Sequence, residues 1–187
     1  MGALCSPTLW LLLFVSATAL GQFIELVETV PVSMNITSVG RSVADAWVAM
    51  FASAQKTIDM TSLYVVLSSG FGRGSEKGKE VLNALVAAIK RGVVVRVMVP
   101  WPSLSNKAGL DLDFLSSQGA LIGKFNWTRI VGSSGMLHAK YLVVDSKHFY
   151  SGSADFSWSA LARIKQLGVV AWDSPVLAAD ALRVFNQ

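Results

Sequence analysis

Cysteine is nearly missing from this chain. One residue of 187 is Cys, and it is Cys5, inside an apolar leader. A disulfide framework and a cysteine-based metal site are therefore excluded for everything downstream. Charge is also sparse, at 15% Asp, Glu, Lys and Arg. The basic residues are scattered, with no run of about five or six that would mark a nucleic-acid tail. Gly70, Gly72 and Gly74 alternate, but no Gly-Lys-Ser/Thr follows, so the pattern argues against a phosphate-cradling P-loop.

What is present is apolar. The chain is 52% hydrophobic, which suits one packed domain and not a disordered composition. Its net charge of +4 and pI near 9.4 tolerate a polyanionic substrate without requiring one. Residues 1–21 predict a signal peptide. Trp10 to Val15 form its apolar core, Leu9 and Ala17 to Leu20 extend it, and the small residues Ala17, Ala19 and Gly21 suit cleavage after Ala19 or Gly21. The run is too short to span a bilayer comfortably. It has no Lys or Arg ahead of it, so an uncleaved anchor is the alternative. Residues 22–187 then form a single domain. Two sequons, Asn35-Ile36-Thr37 and Asn126-Trp127-Thr128, predict glycosylation on a secretory route.

Along the domain, Phe23, Ile24, Leu26 and Val27 predict an edge strand. Ser42 reads as an N-cap with Asp45 three residues later, and Val43, Trp47, Met50, Phe51 and Ala54 repeat as one buried helix face. A strand over Thr57–Leu67 follows. A helix from Glu76 to Arg91 buries Val81, Leu82, Leu85, Val86 and Ile89, and stops at Gly92. The β-branched run Val93–Val99 predicts a strand covered on both faces. Strand, helix and strand in this order imply a right-handed crossover and a parallel pair. Trp101, between Pro100 and Pro102, reads as a packed loop anchor in preference to a base-stacking platform. A short helix over Leu110–Ser117, a strand over Ala120–Phe125 and a Gly132–Gly135 approach loop lead to strands at Leu137–Val144 and His148–Ser151. A short helix near Trp158–Arg163, a strand at Gly168–Trp172 and a final helix begun by Ser174 and Pro175 complete the chain. The last helix presents Leu177, Ala178, Ala181, Leu182 and Phe185 as its apolar face.

The chemistry concentrates in HAKYLVVDSKHFYSGSAD, residues 138–155. His138 and Lys140 are two apart on a β-like run, so both side chains point one way and can meet one phosphate. Asp145 is an odd number of residues from His138. On a regular strand it faces away and reads as an orienting or turn-fixing carboxylate. Gly152 lets a backbone approach closely and Ser153 offers a hydroxyl. His148-x-Tyr150 with Asp155 repeats the spacing, but tyrosine carries no positive charge at neutral pH, so it is not a second site.

His138, Lys140, Asp145, Gly152 and Ser153 together resemble the HKD motif of the phospholipase D superfamily. A random chain of average composition would carry these five positions on the order of once in ten thousand. The segments LVETVP, TIDMTSLYVV and HFYSGSADFSWSAL are similar to the animal endolysosomal branch, over Leu26 to Gln187, its amino-terminal half. The resemblance implies an α/β fold: a mixed, mainly parallel sheet flanked by helices on both faces. It also implies metal-independent phosphodiester hydrolysis with no cofactor. In such proteins two HKD histidines face each other; one attacks phosphorus to give a phosphohistidine, and the other protonates the leaving group. The branch acts as 5′ exonucleases on single-stranded DNA and RNA, in the lysosomal lumen or the wider secretory route.

By the same resemblance His138, Lys140 and Asp145 are catalytic, and Gly152, Ser153 and Asp155 bind substrate. The chain holds one HKD motif, so activity requires a second half, from a homodimer or from more chain. Two positions depart from the pattern. Asp155 stands where the family usually has Asn, and Ser159 where Arg commonly follows the Trp. A carboxylate at 155 repels phosphate. Both departures favour a second reading, an inactive half-domain that binds phosphate-bearing ligands or partners. Phospholipid cleavage ranks third.

Overall fold

The computed structural model describes residues 22–101, 108–132 and 135–187. The leader, Pro102 and part of the Gly132–Gly135 loop lie outside the described residues.

Eight strands form one sheet. β1 (Phe23–Thr29) pairs in parallel with the two-residue β2 (Arg41–Ser42) and antiparallel with β10 (Gln166–Trp172). β10 continues antiparallel to β8 (His148–Gly152), β8 to β7 (Tyr141–Val144), and β7 to β3 (Thr57–Thr61). From β3 the pairing turns parallel, to β5 (Val94–Pro100) and then β6 (Leu121–Phe125). The order is β2-β1-β10-β8-β7-β3-β5-β6. The sheet is mixed for a simple reason. Strands joined by the hairpin run antiparallel, and strands joined across a helix, β3 to β5 and β5 to β6, run parallel. A second, two-stranded parallel sheet joins β4 (Val65–Val66) to β9 (Phe156–Ser157).

Helix α1 (Val43–Ser53) starts as the sequence predicts: Ser42 Oγ accepts the Asp45 N–H at 3.0 Å. Its Trp47, Met50 and Phe51 are fully buried. Helix α2 (Glu76–Lys90) packs beside α1, and Arg91 Nη2 donates to the Phe51 carbonyl at 2.7 Å, tying the ends of the two helices together. The core lies between these helices and one sheet face, which contributes Ile58, Met60, Val95, Val97, Leu142, Val144, Tyr150 and Val170. Trp47 is its aromatic hub, stacked on Phe156 at 4.1 Å and edge-on to Tyr150 at 5.3 Å. Such pairs add about 0.5–1.5 kcal/mol beyond area burial.

The other face is covered only in part. Helix α6 (Pro175–Phe185) lies on β3, β7 and β8. Its end is fastened by Arg96, which pairs with the buried Asp59 carboxylate, donates to Asn186 Oδ1 at 3.0 Å and lies 4.9 Å from the Phe185 ring centroid. Of the apolar face expected for α6, Ala178 is buried while Leu177 stays exposed. The Val93–Val99 run is likewise not covered on both sides. Val95, Val97 and Val99 enter the core, but Val94 is exposed and Arg96 and Met98 are half-buried. β-Branched residues follow strand propensity whether or not both faces are packed.

Two expected strands are shorter than predicted. The Thr57–Leu67 run breaks at Ser62, whose backbone and hydroxyl turn to other partners, and Val65–Val66 resumes as β4. The Leu137–Val144 run pairs only from Tyr141, so His138 and Lys140 precede β7 instead of lying within it. Helix α3 (Ala108–Ser117) was foreseen, but its Asp111 was not. That buried carboxylate accepts from Ser68 N–H at 2.9 Å and also from Leu67 N–H and the Ser68 hydroxyl, fixing the chain after β4. The five-residue α4 (Trp127–Val131) is capped by Asn126 Oδ1 on the Arg129 N–H at 3.0 Å.

Candidate active site

Strand direction sets where the site lies. β3, β5 and β6 all end at the same edge of the sheet, and β7, running the opposite way, begins there. Thr61 pairs with Tyr141 at this edge, so His138 and Lys140 sit beyond the carboxyl ends of the parallel strands. Ligands of open α/β sheets bind at such edges.

Lys140 is 8% exposed, and its ammonium makes three contacts. It donates to the His138 carbonyl at 3.0 Å, lies 3.3 Å from His138 Nδ1 and 3.4 Å from Asp155 Oδ1. The His138 ring itself is exposed. A lysine cannot accept a hydrogen bond, so in this orientation Nδ1 is the acceptor and the neutral ring carries its proton on Nε2. Nε2 is then an acid or donor. To become a nucleophile it must lose that proton to Nδ1, which requires the ammonium to move off.

Asp155 is held from several sides. Its Oδ1 also accepts from Leu63 N–H and Ser62 Oγ, both at 3.1 Å. Ser62 Oγ is in turn 2.9 Å from the Tyr64 carbonyl and accepts the Phe156 N–H at 3.2 Å. Asp155 thus bridges the two segments that form the small β4–β9 sheet. The Tyr64 phenol is pushed up, chiefly by burial and also by the Asp155 charge, against a lowering hydrogen bond from Ser157.

The remaining motif residues sit elsewhere. Asp145 is at the opposite end of β7, in the left-handed region at φ 54°. Its Oδ1 accepts from Lys56 N–H at 2.7 Å and Thr57 N–H at 2.9 Å, and its Oδ2 from Gln55 N–H at 2.8 Å. Burial raises its pKa, but these three donors outweigh burial and hold it below the ordinary carboxylate range. It fixes the hairpin turn to the start of β3 and does not meet His138.

Gly152 opens toward β10, where a Cβ would fall 2.8 Å from the Gly168 Cα and 2.5 Å from the Tyr150 hydroxyl. Ser153 Oγ accepts the Leu167 N–H at 3.1 Å and donates to Gln166 Oε1. Both residues bind β10 to β8 here, a use the sequence did not suggest. His148 is apart from the site. Its Nδ1 accepts the Asp173 N–H at 3.0 Å, and its ring meets Trp172 edge-on at 5.0 Å.

Three further features were missed in the sequence. Ser62 and Gln166 carry no local signal, because each matters only through a partner roughly a hundred residues, or a hairpin, away. Phe125 and Trp127 line a cavity beside His138. A sequon drew attention to Asn126 and not to its neighbour. Trp101 is half exposed, with the Lys124 ammonium 4.6 Å over its ring, and its backbone N–H donates to the Phe125 carbonyl at 2.8 Å. Asn35 is exposed in a left-handed turn at φ 50°.

This geometry has close counterparts. The phospholipase D family member Nuc from Salmonella typhimurium superposes with a TM-score of 0.68 at 20% identity, covering 89% of this chain and 93% of that one. NucT from Helicobacter pylori superposes at 0.67 with 13% identity, covering 89% and 94%. The fold is therefore that of a phospholipase D-like domain. By sequence the chain belongs to the family described as PLD3/4, PLD-like domain, which matches residues 34–187. It is 35% identical over 176 residues to phospholipase D Z of Dictyostelium discoideum, covering 91% of this chain and 41% of that protein. It is 35% identical over 168 residues to the 5′-3′ exonuclease PLD3 of Rattus norvegicus, covering 86% and 33%. It is also 35% identical over 161 residues to the virion nicking-joining enzyme of vaccinia virus, covering 86% and 36%. The chain thus spans about a third to two-fifths of the length of these relatives.

Proposed function

We propose that this chain supplies one half of a metal-independent phosphodiesterase that cleaves single-stranded nucleic acid as a 5′ exonuclease through a phosphohistidine at His138. The observation that carries this reading is the paired placement of an exposed imidazole and a buried ammonium, 3.3 Å apart, beyond the carboxyl ends of the parallel strands. Lys140 gives the non-bridging oxygens a positive partner. With the Lys140 ammonium turned to the phosphate and the ring proton on Nδ1, His138 attacks phosphorus through the free Nε2, forming the P–N bond as the P–O bond to the leaving group breaks. A second imidazole, from another copy or another half, gives its proton to the leaving oxygen. Water then attacks the phosphohistidine, returning a proton to the second imidazole and freeing His138. No metal or cofactor enters these steps.

Nucleic acid is preferred over phospholipid because the exonuclease and nicking-joining names among the relatives describe strand chemistry. The name of the Dictyostelium relative keeps lipid phosphodiesters as the competing substrate. A secretory route, ending in the lysosomal lumen or outside the cell, accords with the leader and with the exposed sequon at Asn35. Asn126 is the other proposed acceptor.

One observation favours a second reading, binding without turnover. Asp155 already neutralises Lys140 at 3.4 Å. Quenching a mixture of the chain and an end-labelled oligonucleotide in denaturant at alkaline pH, where the P–N bond of a phosphohistidine survives, distinguishes the two. Label trapped on His138, absent from His138→Ala, supports turnover. Saturable binding with neither label nor cleavage at acid and neutral pH, in a preparation shown to be dimeric by light scattering, supports binding alone.

A further inference from the structure

Beside His138 lies a cavity of about 470 Å³, within the range of roughly 300–1,000 Å³ typical of small-molecule sites. Its walls are aromatic and apolar: Phe125, Trp127, Met136 and Tyr141, with His138 at one side. Among the described residues no Lys, Arg, Asp or Glu lines it. The Phe125 and Trp127 ring centroids are 5.9 Å apart, with the planes inclined at 43°. Trp127 is 38% exposed and Met136 48%, so broad ring and thioether surface is left open to water.

The indole is held in place from outside the cavity. A Cβ on Gly135 would fall 2.2 Å from Trp127 Cδ1 and Nε1, so the approach to His138 passes hard against the ring edge. Only glycine allows this passage. Tyr141 also lines the cavity, and its hydroxyl reaches the Ala181 carbonyl at 3.5 Å, a marginal bond that leaves the phenol able to turn to a ligand. The arrangement divides the labour: charge beside the cavity, at Lys140, and flat faces within it.

We propose that this cavity receives the base of the nucleotide whose phosphate lies at His138, stacked on Trp127. The proposal rests on the nucleic-acid reading above and adds its positioning residue. Stacking on an indole is tolerant of base identity, since every base has a π-face. The cavity therefore selects for a base as such, not for a sequence. An acyl chain would also find apolar walls, but it gains nothing from ring planes or from a phenol donor.

Equilibrium binding by fluorescence anisotropy tests this, with the wild-type protein, Trp127→Ala and Trp127→Phe. The probes are oligothymidylate, an abasic sugar–phosphate oligomer of equal length, and dioleoylphosphatidylcholine vesicles. Trp127 sits partly exposed on a five-residue helix, and circular dichroism verifies that the variants fold. The expected result is a loss on the order of tenfold in oligothymidylate affinity for Trp127→Ala, near wild-type affinity for Trp127→Phe, and equal abasic binding by all three. Equal losses on both oligomers, or no loss on either, overturn the base pocket while leaving the nucleic-acid reading standing. A loss confined to the vesicles assigns the cavity to acyl chains and overturns it as well. Wild-type protein that binds neither oligomer removes the nucleic-acid reading and the pocket with it.

Discussion

Asp155 Oδ1 lies 3.4 Å from the Lys140 ammonium and takes every polar contact that its carboxylate makes among the described residues. An asparagine placed with its Oδ1 there would keep the acceptor for Leu63 N–H, Ser62 and Lys140, and would drop only the charge. Unit charges near 4 Å apart interact by about 1 kcal/mol in water and about 4 kcal/mol at the effective dielectric of a protein surface. Asp155→Asn should therefore fold normally and bind inorganic phosphate on the order of tenfold more tightly or better. Calorimetric titration measures it. Unchanged phosphate affinity in a folded variant would mean that Asp155 does not restrain the lysine.

Asp145 predicts an acid dependence of stability. Its folded pKa lies below the ordinary carboxylate value, so its contribution is complete above about pH 4 and is lost as pH falls through the folded pKa. Glu28 acts in the same sense. Its hydrogen bonds to Lys165 and Ser38 bring its pKa down to about 2. Asp145→Asn should cost about 1–2 kcal/mol at neutral pH, with the gap from wild type closing toward pH 2–3. Urea melts across that range read it, and a gap independent of pH would contradict the role given to the charge.

His148 gives a slope in another window. Burial chiefly, with the neighbouring Lys147 charge, lowers its pKa against the opposing pull of Asp173 and Asp145. The folded state thus prefers the neutral ring, whose Nδ1 accepts the Asp173 N–H. The unfolded chain binds the proton first, so stability falls as pH drops below about 6.5 and levels off under the folded pKa. His148→Gln should flatten that slope and leave any labelling at His138 as it is in the wild-type protein. If labelling vanished in a folded His148→Gln protein, the separation of the two histidines would be wrong.

Trp47 is the core residue with the most to lose. It is fully buried between Phe156 and Tyr150. Trp47→Ala should cost about 3–5 kcal/mol, and Trp47→Phe clearly less, by chemical denaturation. Since Phe156 follows Asp155 directly, collapse of this cluster should also disturb the Asp155–Lys140 pair and weaken phosphate binding beyond the loss of folded protein.

Much of this was readable before any coordinates. Period and capping marked α1 and α2, a β-branched run marked β5, and five motif positions named the superfamily. Parity also separated Asp145 from His138, although the strand that was meant to enforce it starts later, at Tyr141. What failed were the strand ends and the second faces. Nothing in Ser62 announces that its hydroxyl will meet Asp155, and nothing in Leu177 announces that α6 will leave it exposed.

The sequence by itself determined most of the elements, the buried faces of α1 and α2 and the superfamily, because periodicity and motif spacing are local properties of a chain. Only the tertiary structure decided that Lys140 is buried with its charge already answered by Asp155. It also decided that Gly152 and Ser153 serve β10, and that Trp127 lines the same cavity as His138. Each of these is a contact that strand pairing, a hairpin or a turn brings about in space. Their distances follow from how the strands are ordered and which way they run, which periodicity and spacing do not give.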